Sequence, residues 1–506
     1  MASLRMTRLV IGSAATLLAL TACGSTVNQA PSPAGSNLST AGNDGLSGLP
    51  GATATANQSG AGQFPNGGST GTSLNGAAGV TPNGAASTPI PPGGDLGGSS
   101  RSRVTTPIEI GLLVGPSSAS AQAALGSNKQ AASGFGSDVT FKALVQYYNS
   151  HGGLGGRKIV PITYTANASD PSYENDAQAA CATFTQDHHV AAVITTSGDF
   201  WSDNYAACLT HAHVPNLMMS FASTDDAGFA ASPSMFATSA VSVDSRVTAM
   251  IDEMVQTRHL QRGDKLGVIV EDCPFNLRAY TRTLAPLAQR DGLSIDRRDI
   301  DCITGYSDAG KDIAEVQNTV LPYHTANIMK ILPLTGWETS VVNFFEDQAQ
   351  GQNYQPTYFV SSAAQMASQQ SNFSANALSR IFGTGWMPDT DVAVYPPSAA
   401  TLTCRKILAS YGIVAQNRAD QYLVDASCDP FRYLDAALTS TGGLADPSTL
   451  TRALESVGGV IPSSVTLGGS DGLSPSRHFA PTNADEFSYR PGCSCFGYDH
   501  RPIQIS

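Results

Sequence analysis

The sequence predicts an α/β protein with mainly parallel sheets, and three observations lead there. From about residue 105 onward, short apolar runs alternate with stretches of helical periodicity. The runs are apolar at consecutive positions, as strands covered on both faces require. Roughly 400 residues take part, more than a single core holds, which predicts two lobes.

The elements follow in order. "PIEIGLLVG" (Pro107 to Gly115) is a short apolar run ending in glycine, hence a strand. "SDVTFKALVQYYNS" is a helix whose apolar face is Phe141, Leu144, Val145 and Tyr148, with Ser137 or Asp138 as its cap. "RKIVPITYT" is a strand in which Pro161 indicates an edge or a bulge. "NDAQAACATFTQDH" and "SDNYAACLTHAH" are helical, and "VAAVITT" and "VPNLMMS" are strands. Later strands are Lys265 to Glu271, Ala326 to Leu334 and Pro356 to Ser362.

The formal net charge of -12 argues against nucleic acid, whose phosphates need a basic surface. Arg5 and Arg8 precede an apolar run, Leu9 to Leu20, that is short for a membrane span. Residues 1–22 therefore read as a signal peptide. Leu20-Thr21-Ala22-Cys23 resembles the bacterial lipobox, and that resemblance implies lipidation of Cys23 and a lipid anchor at the outer face of the cell membrane. Residues 23–104 are Gly, Ser, Ala, Thr, Pro and Asn with almost no charge, which predicts a disordered tether with a reach of roughly 50 Å.

Nine cysteines are present, and setting Cys23 aside leaves an even set of eight, which in an exported chain suggests disulfides. Spacing favours the local pairs Cys181–Cys208, Cys273–Cys302 and Cys404–Cys428. Cys493-Ser494-Cys495 could close only as a tight ring, and a redox pair, a structural bridge and two free thiols all remain open. The pattern gives no zinc site, and no cofactor is expected.

"NSHGGLGGRK" (Asn149 to Lys158) raises the question of a phosphate loop. It fails the spacing of G-x-x-x-x-G-K-S/T and of G-x-G-x-x-G, and it joins a helix to a strand, whereas phosphate loops lead into a helix N-terminus. The glycines read instead as a helix C-cap, Gly152 or Gly153, and a turn, Gly155-Gly156. A G-x-S-x-G sequence occurs around Ser470, but Pro475 blocks the helix that a nucleophile elbow needs. No enzymatic activity is expected.

The same stretch, N-x-x-G-G-L-x-G-R-K-I, resembles a signature of type I periplasmic binding proteins, nearest the leucine/isoleucine/valine-binding receptors of ABC importers. "LLVGP", "ASDPSYENDAQAACATF", the segment from Val190 to Thr224 and "FATSAVSVDSR" are similar to further parts of that family. The resemblance implies two Rossmann-like lobes with parallel central sheets, joined by three hinge crossings. Lobe 1 would comprise 105–240 and 387–459, and lobe 2 would comprise 241–386 and 460–506. It also implies a lipid-anchored, extracytoplasmic receptor that captures a small polar solute, an amino acid or related carboxylate, for an ABC permease. A sensor lipoprotein without transport is the alternative.

Ligands of open parallel sheets sit beyond the carboxyl ends of the strands. That places Ser117, Ser197, Gly198, Asp199, Ser220, Ala222, Ser223 and Thr224 at the site, where hydroxyls and free N–H groups suit a carboxylate. Ser197-Gly198 and Ala222-Ser223-Thr224 match the family's ligand-holding loops. Phe275 stands near the family's tyrosine, although Asn276 follows it in place of glycine. Trp201 and Trp337 are further aromatic candidates, and Glu338 is a candidate partner for a ligand ammonium.

Overall fold

The computed structural model describes residues 104–116, 133–167, 170, 172–196, 202–219, 224–305, 308–457, 459, 461–469 and 472–505. Cys23 and the tether before Val104 lie outside the described residues. The described chain forms two sheets. In the first, β1 (Ile108–Val114), β2 (Ile159–Thr165), β3 (Ala192–Thr195), β4 (Asn216–Met218) and β5 (Met235–Ala237) stand in the order β2-β1-β3-β4-β5. All its pairings are parallel. β2 is an edge strand, which accommodates Pro161.

Helices cover both faces of this sheet. Ile108, Ile110, Leu112 and Val114 of β1 point into one core with α1 (Ser137–Ser150). Leu113 points into the other, with α2 (Tyr173–Ala182) and α3 (Asp203–His211). Gly111 lies on this second face because a Cβ there would come within 2.9 Å of the Phe184 ring. One capping expectation needs correction. Gly136 is the N-cap of α1 and no side chain caps the helix. Ser137 is already helical, and its hydroxyl lies 2.9 Å from Thr196 Oγ1.

The second sheet is built after α4 (Asp226–Ala231) and α5 (Val243–Gln256). β6 (Lys265–Glu271), α6 (Pro274–Ala279), α7 (Ala285–Asp291), β7 (Ser294–Ile300), α8 (Ala309–Thr325), β8 (Lys330–Leu334), α9 (Glu338–Gly351), β9 (Thr357–Ser361) and β10 (Ile381–Gly385) follow. After α10 (Ala399–Ala409), α11 (Arg418–Ser440) and α12 (Pro447–Val457) come β11 (Asn483–Arg490), β12 (Cys495–Tyr498) and β13 (Ile503–Gln504). The order is β12-β11-β10-β9-β8-β6-β7, with β13 on β11. Strands β6 to β10 pair in parallel, while β11 runs antiparallel to β10 and β12. No helix among the described residues is long and apolar enough to cross a membrane.

The chain passes between the sheets three times: after β5, after β10, and between α12 and β11. Hydrogen bonds tie the passages together. Trp386, fully buried, donates its indole N–H to Ser239 O at 2.8 Å, and Leu467 N donates to Trp386 O at 2.7 Å. Ala237 and the 478–480 segment exchange two more, Ala237 N to His478 O and Ala480 N to Ala237 O, at 2.8 and 2.9 Å.

The glycine loop after α1 is structural. Gly153 N closes the helix by donating to Tyr148 O, 2.7 Å away. Leu154 and Arg157 then bridge across Gly155 and Gly156, both at positive φ (54° and 89°), a two-residue turn that glycine permits. Gly155 N also donates to Asp435 on α11 at 2.8 Å, and a Cβ there would strike Leu438. Arg157 donates to the carbonyls of Thr106, Pro107 and Gly443, so the basic residue clamps the start of β1.

Four disulfides form: Cys181–Cys208, Cys273–Cys302, Cys404–Cys428 and Cys493–Cys495. Cys404–Cys428 joins α10 to α11 and both sulfurs are buried. Replacing this pair by serines is expected to cost about 3 kcal/mol, from the loop it closes in the unfolded chain. Chemical unfolding followed by circular dichroism measures it.

Candidate ligand site between the two sheets

Segments just past the carboxyl ends of the strands meet across the two sheets. Tyr173 N, after β2, donates to Thr304 O, after β7, at 2.7 Å. Arg278, on α6 after β6, donates a two-pronged pair of hydrogen bonds to Asp225, after β4, both at 2.7 Å. The strand ends of the two sheets therefore face each other.

On the first-sheet side the floor is built by hydroxyls. Thr196, at the end of β3, accepts from Gly115 N at 3.3 Å and donates to Leu113 O at 3.3 Å, so it binds the ends of β1 and β3 together. Asp420, on α11, accepts from Ser133 Oγ at 2.7 Å and Gly134 N at 2.6 Å and fixes the chain entering α1. Ser117, Ser197, Gly198, Asp199, Trp201, Ser220, Ala222 and Ser223 lie outside the described residues. Thr224 is fully buried. Its side chain packs on Gly228, its hydroxyl lies 3.3 Å from Asp225, and its carbonyl accepts from Val243 N. Asp225 caps α4 through Gly228 N at 3.0 Å while holding Arg278.

On the second-sheet side, Glu271 ends β6 and is buried. Its carboxylate accepts from Gly336 N at 3.1 Å, Ile303 N at 3.2 Å and Asn276 Nδ2 at 3.4 Å. Burial raises its pKa, against the Gly336 and Ile303 N–H groups, the Trp337 indole and the Arg246 charge. The Cys273–Cys302 bridge pins the ends of β6 and β7 beside it, with Asp272 accepting from Cys302 N at 2.6 Å. Glu271, Cys273 and Cys302 lie close together, but the two sulfurs are bonded to each other and leave no thiolate for a metal.

Phe275 and Trp337 are half-buried at the strand ends, with part of each ring packed on the cores beneath. Glu338 is not available to a ligand. It is fully buried, 3.1 Å from Arg246 Nη1, and it accepts from Ser361 N at 2.7 Å and Ser361 Oγ at 2.8 Å. Its expected role as partner of a ligand ammonium is therefore withdrawn. The Arg246–Glu338 pair and the Asp225–Arg278 pair were both missed from sequence, since nothing local marks which distant charges meet. The chain after Ser470, itself outside the described residues, closes a turn at Ser474–Arg477 and not a helix.

Two α/β layers with facing strand ends and a triple passage define a two-lobed ligand-binding protein. The sequence model of the family described as periplasmic binding protein matches residues 107–484, and the chain belongs to that family. A search of curated proteins finds no match. Solved structures share the fold. A solute-binding protein of an ABC transporter from Rhodopseudomonas palustris HaA2, in complex with p-hydroxybenzoic acid, is 13% identical with a TM-score of 0.57, covering 79% of this chain and 98% of its own. A substrate-binding protein from Desulfitobacterium hafniense in complex with Leu is 15% identical, with a TM-score of 0.52 and coverage of 77% and 99%. A fatty acid ABC transporter substrate-binding protein from Thermomonospora curvata is 13% identical, with a TM-score of 0.52 and coverage of 80% and 94%.

Proposed function

We propose that this chain is an extracytoplasmic receptor, anchored by lipid on Cys23, that captures a small carboxylate-bearing solute in a cleft between the facing strand ends and presents it to an ABC permease. The observation that supports it is the facing of two sets of strand ends across hydrogen-bonded passages that can act as a hinge. Lobe 1 would be 105–240 with 387–459, and lobe 2 would be 241–386 with 460–506. Ser117, Ser197, Gly198, Asp199, Ser220, Ala222 and Ser223 would meet the carboxylate through hydroxyls and backbone N–H groups, together with the backbone at Thr224. Phe275 and Trp337 would cover the solute from the other lobe.

The solute class is an amino acid or a related acid. Among the described residues Glu271 and Glu338 are already held by protein donors, so neither is offered as a partner for a solute ammonium. The structural relatives bind a benzoate, leucine and, by its name, a fatty acid, so an aromatic or aliphatic acid belongs in the same test. A thermal-shift screen of amino acids, amides, aromatic acids and short peptides provides it. A solute at 100 times its Kd is expected to add about 2.7 kcal/mol of stability, and the absence of any shift at millimolar solute would sink the reading.

A second reading, a sensor without transport, is favoured by the length of the 23–104 segment. Uptake of the identified solute by cells lacking the gene separates the two, since a receptor for import is required for uptake and a sensor is not.

A further inference from the structure

We propose that Cys493–Cys495 is a surface thiol–disulfide exchange site that takes a dithiol as its co-reactant. The other three bridges close 24 to 29 residues and each has at least one buried cysteine. This one spans a single residue at the tip of the β11–β12 hairpin, with Cys493 exposed and Cys495 half-buried. Closing so small a ring removes little freedom from the unfolded chain, so the bond does little as a staple. The hairpin is held by other means. Its ladder pairs Phe487 with Tyr498 and Tyr489 with Phe496, and the Phe487 and Tyr489 rings lie 5.8 and 5.7 Å from Phe496.

The turn is closed by backbone hydrogen bonds as well, Cys493 N to Arg490 O and Ser494 N to Pro491 O, both at 3.2 Å. Ser494, between the two sulfurs, has φ of 51°, a left-handed conformation that a side-chain-bearing residue adopts at a cost. An exposed disulfide is the kind that exchanges readily. Arg490 pairs with Cys495 in the ladder, and its guanidinium lies over Gly497 and donates to Tyr498 O and Asp499, which fastens the hairpin without the disulfide.

The exchange is as follows. One thiolate of the dithiol attacks the accessible Cys493 sulfur. The S–S bond breaks and Cys495 leaves as a thiolate, which takes a proton. The second donor thiolate then attacks the donor's own sulfur in the mixed disulfide and releases Cys493. The donor ends as a disulfide, oxidised by two electrons, and the hairpin ends as a dithiol.

The test is native-state reduction of the whole mature chain with dithiothreitol, followed by alkylation and peptide mass mapping. Cys493 and Cys495 are expected to open about 100-fold faster than any other bridge, and to re-form on addition of oxidised glutathione. Opening no faster than Cys273–Cys302, or alkylation of Cys493 and Cys495 before any reductant is added, would overturn the proposal. A Cys493→Ser/Cys495→Ser variant is expected to keep its thermal midpoint within about 2 °C of the parent, the loop being so short. A larger loss would make the bridge a staple and also overturn it.

Discussion

Arg246→Ala is expected to destabilise the chain by about 3–5 kcal/mol, the cost of leaving a buried charge without its partner. Arg246 is 4% exposed and Glu338 is 0% exposed, and the guanidinium donates to Thr335 O at 3.0 Å besides pairing with Glu338. Without it, Glu338 keeps only Ser361. Burial already raises the Glu338 pKa against the pull of Arg246, so in the variant it rises further. A group with a raised folded pKa contributes stability that is lost as pH rises, so the deficit should grow with pH. The double variant Arg246→Met/Glu338→Gln removes both charges and should recover most of the loss. Denaturant midpoints of the parent and both variants read the outcome, and an Arg246→Ala variant within 1 kcal/mol of the parent, roughly the range of exposed pairs, would show that the pair is not a buried one.

Glu253→Gln is expected to stabilise the chain at pH 8 and to change little at pH 4.5. Glu253, on α5, is 2% exposed and its pKa is pushed up to about 8, first by burial and then by Glu486 and Asp485 on β11, with Thr384 on β10 opposing. Its ordinary value is 4.5, so the folded chain binds this proton more tightly than the unfolded one. The stability it contributes is full below pH 4.5 and is lost as pH rises through about 8. The parent should thus lose roughly 4 kcal/mol from this group across that window, and the glutamine variant should not. Urea unfolding at pH 4.5, 6 and 8 follows it, and parallel pH profiles for parent and variant would refute the assignment.

Four of the five strands of the first sheet were legible because their code is local, while β5, three residues long, was not. Consecutive apolar positions mark β1, β3 and β4, and Pro161 marks the edge at β2. The glycine pairs after α1 declared their turn because each position there needs a conformation that glycine adopts most easily. β7 escaped because it is an edge strand written Ser-Ile-Asp-Arg-Arg-Asp-Ile, its charges paired on the surface and its apolar alternation obscured. β10 and β11 escaped for a tertiary reason. Gly383 has no side chain because the Phe487 ring occupies its place, and Asp485 and Glu486 are buried acids in a strand. No window of sequence reveals either.

The candidate site divides the same way. Hydroxyl-rich loops at strand ends can be read from one strand and its following turn, but the tie that Thr196 makes between the ends of β1 and β3 cannot. The acids cannot be read so. Glu338 looked free because Arg246 is far off in sequence, and Asp225 gave no sign that Arg278 would reach it from the other sheet. Thr224, read as a ligand contact, also carries the packing of α4, which no window of sequence around it reveals.

Binding of a small acid between the two sheets, as proposed, is open to direct observation. A crystal structure of the chain with the strongest solute from the thermal screen tests it most directly. Density is expected between the facing strand ends, with the carboxylate within hydrogen-bonding distance of N–H or hydroxyl groups in 197–199 and 222–224 and with Phe275 or Trp337 against its body. Density for the solute anywhere else, with the space between the strand ends empty, would contradict the proposal.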